Sequence, residues 1–326
     1  MSRVMLGRRT SYSVIYRCLE SRPDTYLDWY EQANALRDRK CYEEALTSYN
    51  RALEYNPYNY WAWYWRGDVL ETLRHYEQAL ASYDKAIEIK PTDYWAWYQR
   101  GNVLRDLDRY EEAIASYDKA LEAQPDDYWA WYDHGRVALE DLNWYEDAIA
   151  CFDKALELRP DDYWSWYRKG DTLRQLEHYQ EAIACYDKAL EQEPRDYWSW
   201  YRRGDALRRW GRFKEALVSY NNALQIEPTD YWSWYQRGEL LRKMRRYREA
   251  VSSYDEALDS EPDDEYAWYN QACCYALLGK AEKAIVSLKQ AIYINPGEYQ
   301  QLAKTDSDFD NLRGNKAFEA LLNRSF

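Results

Sequence analysis

Residues 94–127 read Tyr94-Trp-Ala-Trp-Tyr-Gln-Arg-Gly101-Asn-Val-Leu-Arg-Asp-Leu-Asp-Arg-Tyr110-Glu-Glu-Ala-Ile-Ala-Ser-Tyr-Asp-Lys-Ala120-Leu-Glu-Ala-Gln-Pro125-Asp-Asp127, and the stretch recurs in eight copies. The prolines mark its period. They stand at 23, 57, 91, 125, 160, 194, 228, 262 and 296, each 34 residues after the last except for one step of 35. A fixed period of this length belongs to stacked supersecondary units rather than to a mixed globular domain. Within the unit Trp97, Gly101 and Leu104 recur at four and three residues, which is one face of a helix. Ala113, Tyr117, Ala120 and Leu121 do the same further on. Between them Asp108-Arg-Tyr-Glu-Glu112 reads as a polar turn and an acidic first turn. Pro125 stops the second helix, and Asp126-Asp127 open the next. The spacing predicts an all-α chain with two helices per unit. One such pair cannot hide its apolar face alone, so neighbouring pairs must cover one another.

Composition narrows the function. With 44 Lys and Arg against 57 Asp and Glu the formal charge is −13, the wrong sign for a general nucleic-acid binder. No apolar run approaches the roughly 20 residues of a membrane-spanning helix. Aliphatic residues are scarce, which by itself reads as disorder. However, 17 Trp and 35 Tyr at fixed places in the repeat supply large rings to bury. The six cysteines, at 18, 41, 151, 185, 273 and 274, include no Cys-x-x-Cys and no zinc-ligand spacing. Cys151 and Cys185 share one slot with Ser48, Ser82, Ser116, Ser219, Ser253 and Ser287, so that slot is expected simply to take a small side chain. Cys273-Cys274 has no obvious partner. A reducing cytoplasm is the expected setting. Met1 to Leu19 carries Arg3, Arg8, Arg9 and Arg17 with no acid, faintly like a transit peptide. Its second half aligns better with the end of a repeat.

The pattern of Trp97, Gly101, Leu104, Ala113, Tyr117 and Pro125 resembles the tetratricopeptide repeats over about residues 26 to 298. The resemblance implies an α-solenoid, a right-handed superhelix of eight repeats at 26–59, 60–93, 94–127, 128–162, 163–196, 197–230, 231–264 and 265–298. Residues 1–25 would carry a degenerate half-repeat, and 299–326 a capping helix over the last apolar face. Where the family places Leu before the Gly, this chain has Arg66, Arg100, His134, Lys169, Arg203 and Arg237. Their stems are expected in the interface with tips reaching acids or water. Repeat four holds one extra residue between Gly135 and Leu142, a local distortion that Trp144 is expected to cover.

In the family a second stripe of the first helix lines a concave groove that holds partner peptides. Mapped onto this chain, the groove residues are Trp61, Tyr64, Trp95, Tyr98, Asn102, Arg105, Trp129, Tyr132, Arg136, Trp164, Tyr167, Asp171, Arg174, Trp198, Tyr201, Asp205, Arg208, Trp232, Tyr235 and Arg242. Trp, Tyr and Arg dominate binding energy at interfaces. The same stripe could instead pack against the next repeat. Trp97 and its seven equivalents are expected in the core. The Lys of the family's tail-carboxylate clamp is always Tyr here; Asn34, Asn102, Arg168 and Arg202 match the clamp only singly, so no such specificity is expected. From Arg195 to Arg248 the charge is +7 against −20 for the rest, a basic ridge that suggests an acidic partner segment toward repeats six and seven. His75, His134 and His178 fall in variable slots, and no phosphate loop or nucleophile motif occurs. The reading is a non-catalytic scaffold for a protein or peptide segment, without cofactor, metal, nucleic acid or transmembrane segment. A glycan-binding aromatic ladder and a self-associating structural array are the alternatives.

Overall fold

The computed structural model describes residues 24–323. The readings of the amino terminus as transit-like or half-repeat fall outside them. The chain divides into two compact units, Met1–Pro160 and Asp161–Phe326. In the first unit α1 (Tyr26–Asp38) packs on α2 (Tyr42–Tyr55), and α3 (Tyr60–Thr72) on α4 (Tyr76–Ile89). Likewise α5 (Tyr94–Asp106) packs on α6 (Tyr110–Ala123), and α7 (Tyr128–Glu140) on α8 (Tyr145–Leu158). The second unit pairs α9 (Tyr163–Gln175) with α10 (Tyr179–Gln192) and α11 (Tyr197–Arg209) with α12 (Phe213–Ile226). It continues with α13 (Tyr231–Lys243) on α14 (Tyr247–Ser260) and α15 (Glu265–Leu277) on α16 (Ala281–Ile294). It ends in α17 (Pro296–Thr305), a 3₁₀ turn (Ser307–Leu312) and α18 (Lys316–Leu322). There is no strand among the described residues.

Local chemistry sets each helix boundary. The first helices start on Asn59, Asp93, Asp127, Asp162, Asp196, Asp230 and Asp264, whose side chains accept from backbone N–H groups of the first turn. The second helices stop where a proline forces the residue before it into an extended conformation, as at Lys90 (φ −133°, ψ 83°) and Glu227 (φ −120°, ψ 84°). Between the paired helices the chain turns through one left-handed residue. It is glycine at Gly211 and Gly279 but Lys40, Arg74, Asp108, Asn143, Glu177 and Arg245 elsewhere. The extra residue of repeat four is absorbed in this turn, beside Asn143. Trp144, the residue before α8, is 41% exposed.

The core is built where paired helices touch. Tyr49, Tyr83, Tyr117, Tyr186, Tyr220 and Tyr254 are fully buried, and Phe152 replaces them in repeat four. In repeats two to seven the ring lies under the glycine of the first helix: a Cβ built on Gly101 falls 2.6 Å from Tyr117 Cε1. The alanine or serine after the outermost Trp, such as Ala96 or Ser199, is also fully buried. Trp97 and its equivalents, expected in the core, are only half-buried at its edge. Their indoles instead clasp the preceding repeat, Trp97 Nε1 donating to the Pro91 carbonyl at 2.7 Å and Trp234 Nε1 to that of Pro228 at 2.7 Å. In the closing segment Phe309 and Phe318 are fully buried and stacked at 5.6 Å, with Tyr269 edge-on to Phe309.

The Arg slot before the glycine explains the Ser and Cys slot. Arg100 donates to Asp84 Oδ1 at 2.7 Å and to Ser116 Oγ at 2.6 Å, and Arg203 to Asp187 and Ser219 at 2.6 and 2.7 Å. Arg66 and Arg237 likewise reach Ser82 and Ser253. Where the cation is His134 or Lys169, the small residue is Cys151 or Cys185. The slot is therefore not indifferent: serine is the hydroxyl acceptor that a half-buried guanidinium needs. The Gly–Tyr contact is equally specific. Gly101→Ala should destabilise the first unit by about 1–3 kcal/mol, measured as a lower denaturant midpoint; an unchanged midpoint would show that the Tyr117 ring moves freely.

Candidate functional site

Each outermost Trp sits in the first turn of its helix, where no neighbouring helix covers it. Trp61 is 41% exposed; Trp95, Trp129, Trp164, Trp198 and Trp232 are 52–57% exposed. They are nevertheless held. Trp95 meets Tyr94 edge-on at 5.1 Å, and Trp198 meets Tyr197 at 5.0 Å. The tyrosine is itself anchored to the cap of the following repeat: Tyr197 donates to Asp230 Oδ2 at 2.6 Å, and Tyr60 to Asp93. Burial and these carboxylates push the hydroxyls of Tyr60, Tyr94, Tyr197 and Tyr231 far up, so they stay protonated donors. Two sets of exposed indoles result, Trp61, Trp95 and Trp129 in the first unit and Trp164, Trp198 and Trp232 in the second.

The next stripe lies deeper. Tyr64 and Tyr167 are buried, while Tyr98, Tyr132, Tyr201 and Tyr235 are half-buried. Tyr98 stacks on Tyr94 at 5.6 Å, tilts against Tyr117 at 5.9 Å and donates to Asp133 Oδ2 at 2.6 Å. Asn102 accepts from Tyr117 at 2.9 Å and donates to Gln99 at 2.7 Å. Asn34 accepts from Tyr49 at 2.6 Å. These groups are spent on the frame. Asp133, which serves Tyr98 from one repeat further on, carries no sequence signal of its own beyond that spacing.

The arginines of the stripe are also bound within the chain. Arg105 pairs with Asp106 at 3.0 Å and Asp133 at 3.8 Å, and Arg136 with Asp133 and Glu140, both at 3.4 Å. In the second unit Arg174, Asp171 and Asp205 are all buried and linked: Arg174 lies 3.6 Å from Asp171 and 3.4 Å from Asp205. Arg208 and Arg209 bind Asp205 at 2.5 and 3.0 Å, and Arg242 binds Asp308 at 3.0 Å. Arg212 and Arg246 pair with Glu215 and Glu249. Five arginines of the basic ridge, Arg208, Arg209, Arg212, Arg242 and Arg246, thus each have a carboxylate partner within the chain. Beside it Cys273, Asp306 and Asp308 bring potential ligand atoms within 4.8 Å of one another, and the guanidinium of Arg242 already supplies a cation there. Burial pushes the thiol of Cys274 up to about 12 and that of Cys273 well up, so neither is a ready thiolate. No described helix is long and apolar enough to cross a membrane.

Repeat two departs from the Arg slot. Glu71 stands there, accepting from Tyr83 at 3.0 Å, and burial with Asp68 and Asp106 nearby raises its carboxyl to about 7 against the pull of Arg105 and the Tyr83 hydroxyl. A folded-state value above the unfolded one means that the folded chain holds a proton the unfolded chain has lost between pH 4.5 and 7. Stability from this group is therefore complete at acid pH and falls as pH rises through that window. Glu71→Gln should remove that slope, a difference of about 1–3 kcal/mol between the two ends, read by urea unfolding at each pH; parallel curves for both proteins would refute it.

The tetratricopeptide repeat profile matches residues 30–94, 167–231 and 235–299, and two related profiles of the same name match 94–127 and 130–162. No curated protein matches the sequence. Among solved structures, YrrB, described as a TPR protein with an unusual peptide-binding site, is 27% identical and superposes with a TM-score of 0.52 over 58% of this chain and 97% of its own. A tetratricopeptide repeat protein of Parabacteroides merdae gives 0.53 at 19% identity, covering 76% of this chain and 97% of its own. The C-terminal part of a TPR repeat-containing protein of Cytophaga hutchinsonii gives 0.66 at 15%, covering 74% and 99%. With hairpins, caps and profile in agreement over more than half its length, the chain belongs to the tetratricopeptide repeat family.

Proposed function

We propose that this chain is a non-catalytic scaffold that captures a segment of a partner protein on its exposed indoles. The observation that carries the reading is the six outer Trp side chains, each at least 41% exposed and recurring once per repeat. Indole is a large apolar ring that folding ordinarily removes from water, and a row of them is where interface energy concentrates. The tyrosine, asparagine and arginine network beneath is a rigid backing, which lowers the ordering cost of association. The peptide-binding site in the description of YrrB points the same way. No catalytic grouping competes among the described residues: His134 is buried against Asp118 at 3.3 Å, and His178 is exposed beside Glu181. Cys41, Cys151, Cys185, Cys273 and Cys274 are all free thiols, in keeping with a reducing compartment such as the cytoplasm.

The test is affinity capture from the native cell extract. Replacing Trp164, Trp198 and Trp232 together by Ala should abolish retention of the bound partner, with helical circular dichroism and thermal midpoint close to wild type because the rings are exposed. Undiminished capture by the substituted protein would overturn the reading.

A further inference from the structure

In repeats two, four, six and seven the Tyr–Trp corner at the start of the first helix lies beside the residue that ends the second helix of the same repeat. In repeats two and four that residue is a cation lying on the rings. Lys90 Nζ is 4.4 Å from the Tyr60 centroid and 5.5 Å from that of Trp61; the Arg159 guanidinium is 4.0 Å from Tyr128 and 5.5 Å from Trp129. The corner is thus a cation seat, filled from within. In repeats five, six and seven the same position is Glu193, Glu227 and Glu261. A carboxylate at a helix C-terminus opposes the helix dipole, so helix stability does not account for it. The rings of Tyr197, Trp198, Tyr231 and Trp232 remain, and with Glu227, Glu261, Asp196, Asp230 and Asp259 they line a groove of about 1020 Å³ within the second unit. Arg195 is the one cation in that lining.

We propose that this groove takes lysine or arginine side chains of a partner protein segment, seated on Trp198 and Trp232 and paired with Glu227 and Glu261. The proposal rests on the scaffold reading and names the chemistry of its partner: a basic segment at this edge of repeats six and seven. Lys90 and Arg159 show the pose, and the exchange of cation for acid makes room for one from outside. The groove's acids also steer a basic chain toward it and repel an acidic one.

The probe is a fluorescent Gly-Ser peptide studded with lysines, beside its twin carrying glutamates, titrated at low and at physiological salt. The lysine peptide should bind and change the indole emission; the glutamate twin should not. Glu227→Lys with Glu261→Lys refills both corners in the manner of Lys90 and should weaken binding about tenfold or more, the scale of two lost cation–π seats. Glu77→Lys with Glu111→Lys makes the same change in net charge at exposed sites of the first unit and should cost about twofold through long-range attraction alone. Equal losses from the two pairs, or no binding of the lysine peptide, would overturn the proposal. Capture of the native partner separates the two readings. If the triple Trp variant loses it while the Glu227, Glu261 variant keeps it, the scaffold stands and the basic segment falls. If both variants keep it, both fall.

Discussion

A hairpin of 34 residues buries one ring between its two helices but leaves its outer apolar face open, and the adjoining repeat closes that side. The fastening is specific as well as apolar. The Trp97 indole holds the Pro91 carbonyl, and the Tyr197 hydroxyl holds the Asp230 carboxylate that caps the following helix. The same proline ends one helix, and the same aspartate begins another. Boundary and fastening therefore reside in the same residues, which is why the period tolerates so little variation. Arg100 and its copies add a second bond between helices, each satisfied by a carboxylate or amide outside and a serine within.

The helices, their period and their partners were legible in the sequence because prolines, capping aspartates and glycines act over a few residues. The exposed Trp stripe was legible as a candidate for the same reason. What lay beyond reach was anything decided by the neighbouring repeat. A helical wheel places Tyr98 beside Trp95, but Asp133, thirty-five residues on, draws its hydroxyl inward. The spacing of Trp97, Gly101 and Leu104 puts Trp97 on the core face, whereas its indole N–H must find an acceptor and the half-buried edge offers one. The arginines of the stripe looked available until Asp133, Asp205 and Asp308 were found against them. The cation seats of Lys90 and Arg159 depend on three-dimensional folding of each repeat's last residue onto its first helix, and no periodic signal marks them.

The binding we propose on such a frame falls to positions outside its packed slots. The slots for Gly101, Ala113, Tyr117 and Pro125 are occupied by packing, and the ionic network of Asp171, Arg174 and Asp205 is sealed inside the second unit. The outer indoles keep 41–57% of their surface in water, and the residue before each proline changes from cation to acid along the chain.

The left-handed turn between paired helices has a consequence for how such an array ages. Two of those turns use glycine, while Lys40, Arg74, Asp108, Asn143, Glu177 and Arg245 hold the same backbone with a side chain attached. Each such residue stores on the order of 1 kcal/mol of unfavourable torsion, less where Asn or Asp eases it. That strain is divided among six turns instead of gathered at one place. The array thus lies below the stability its fold allows, with an unused reserve in the six turns that hold a side chain in place of glycine.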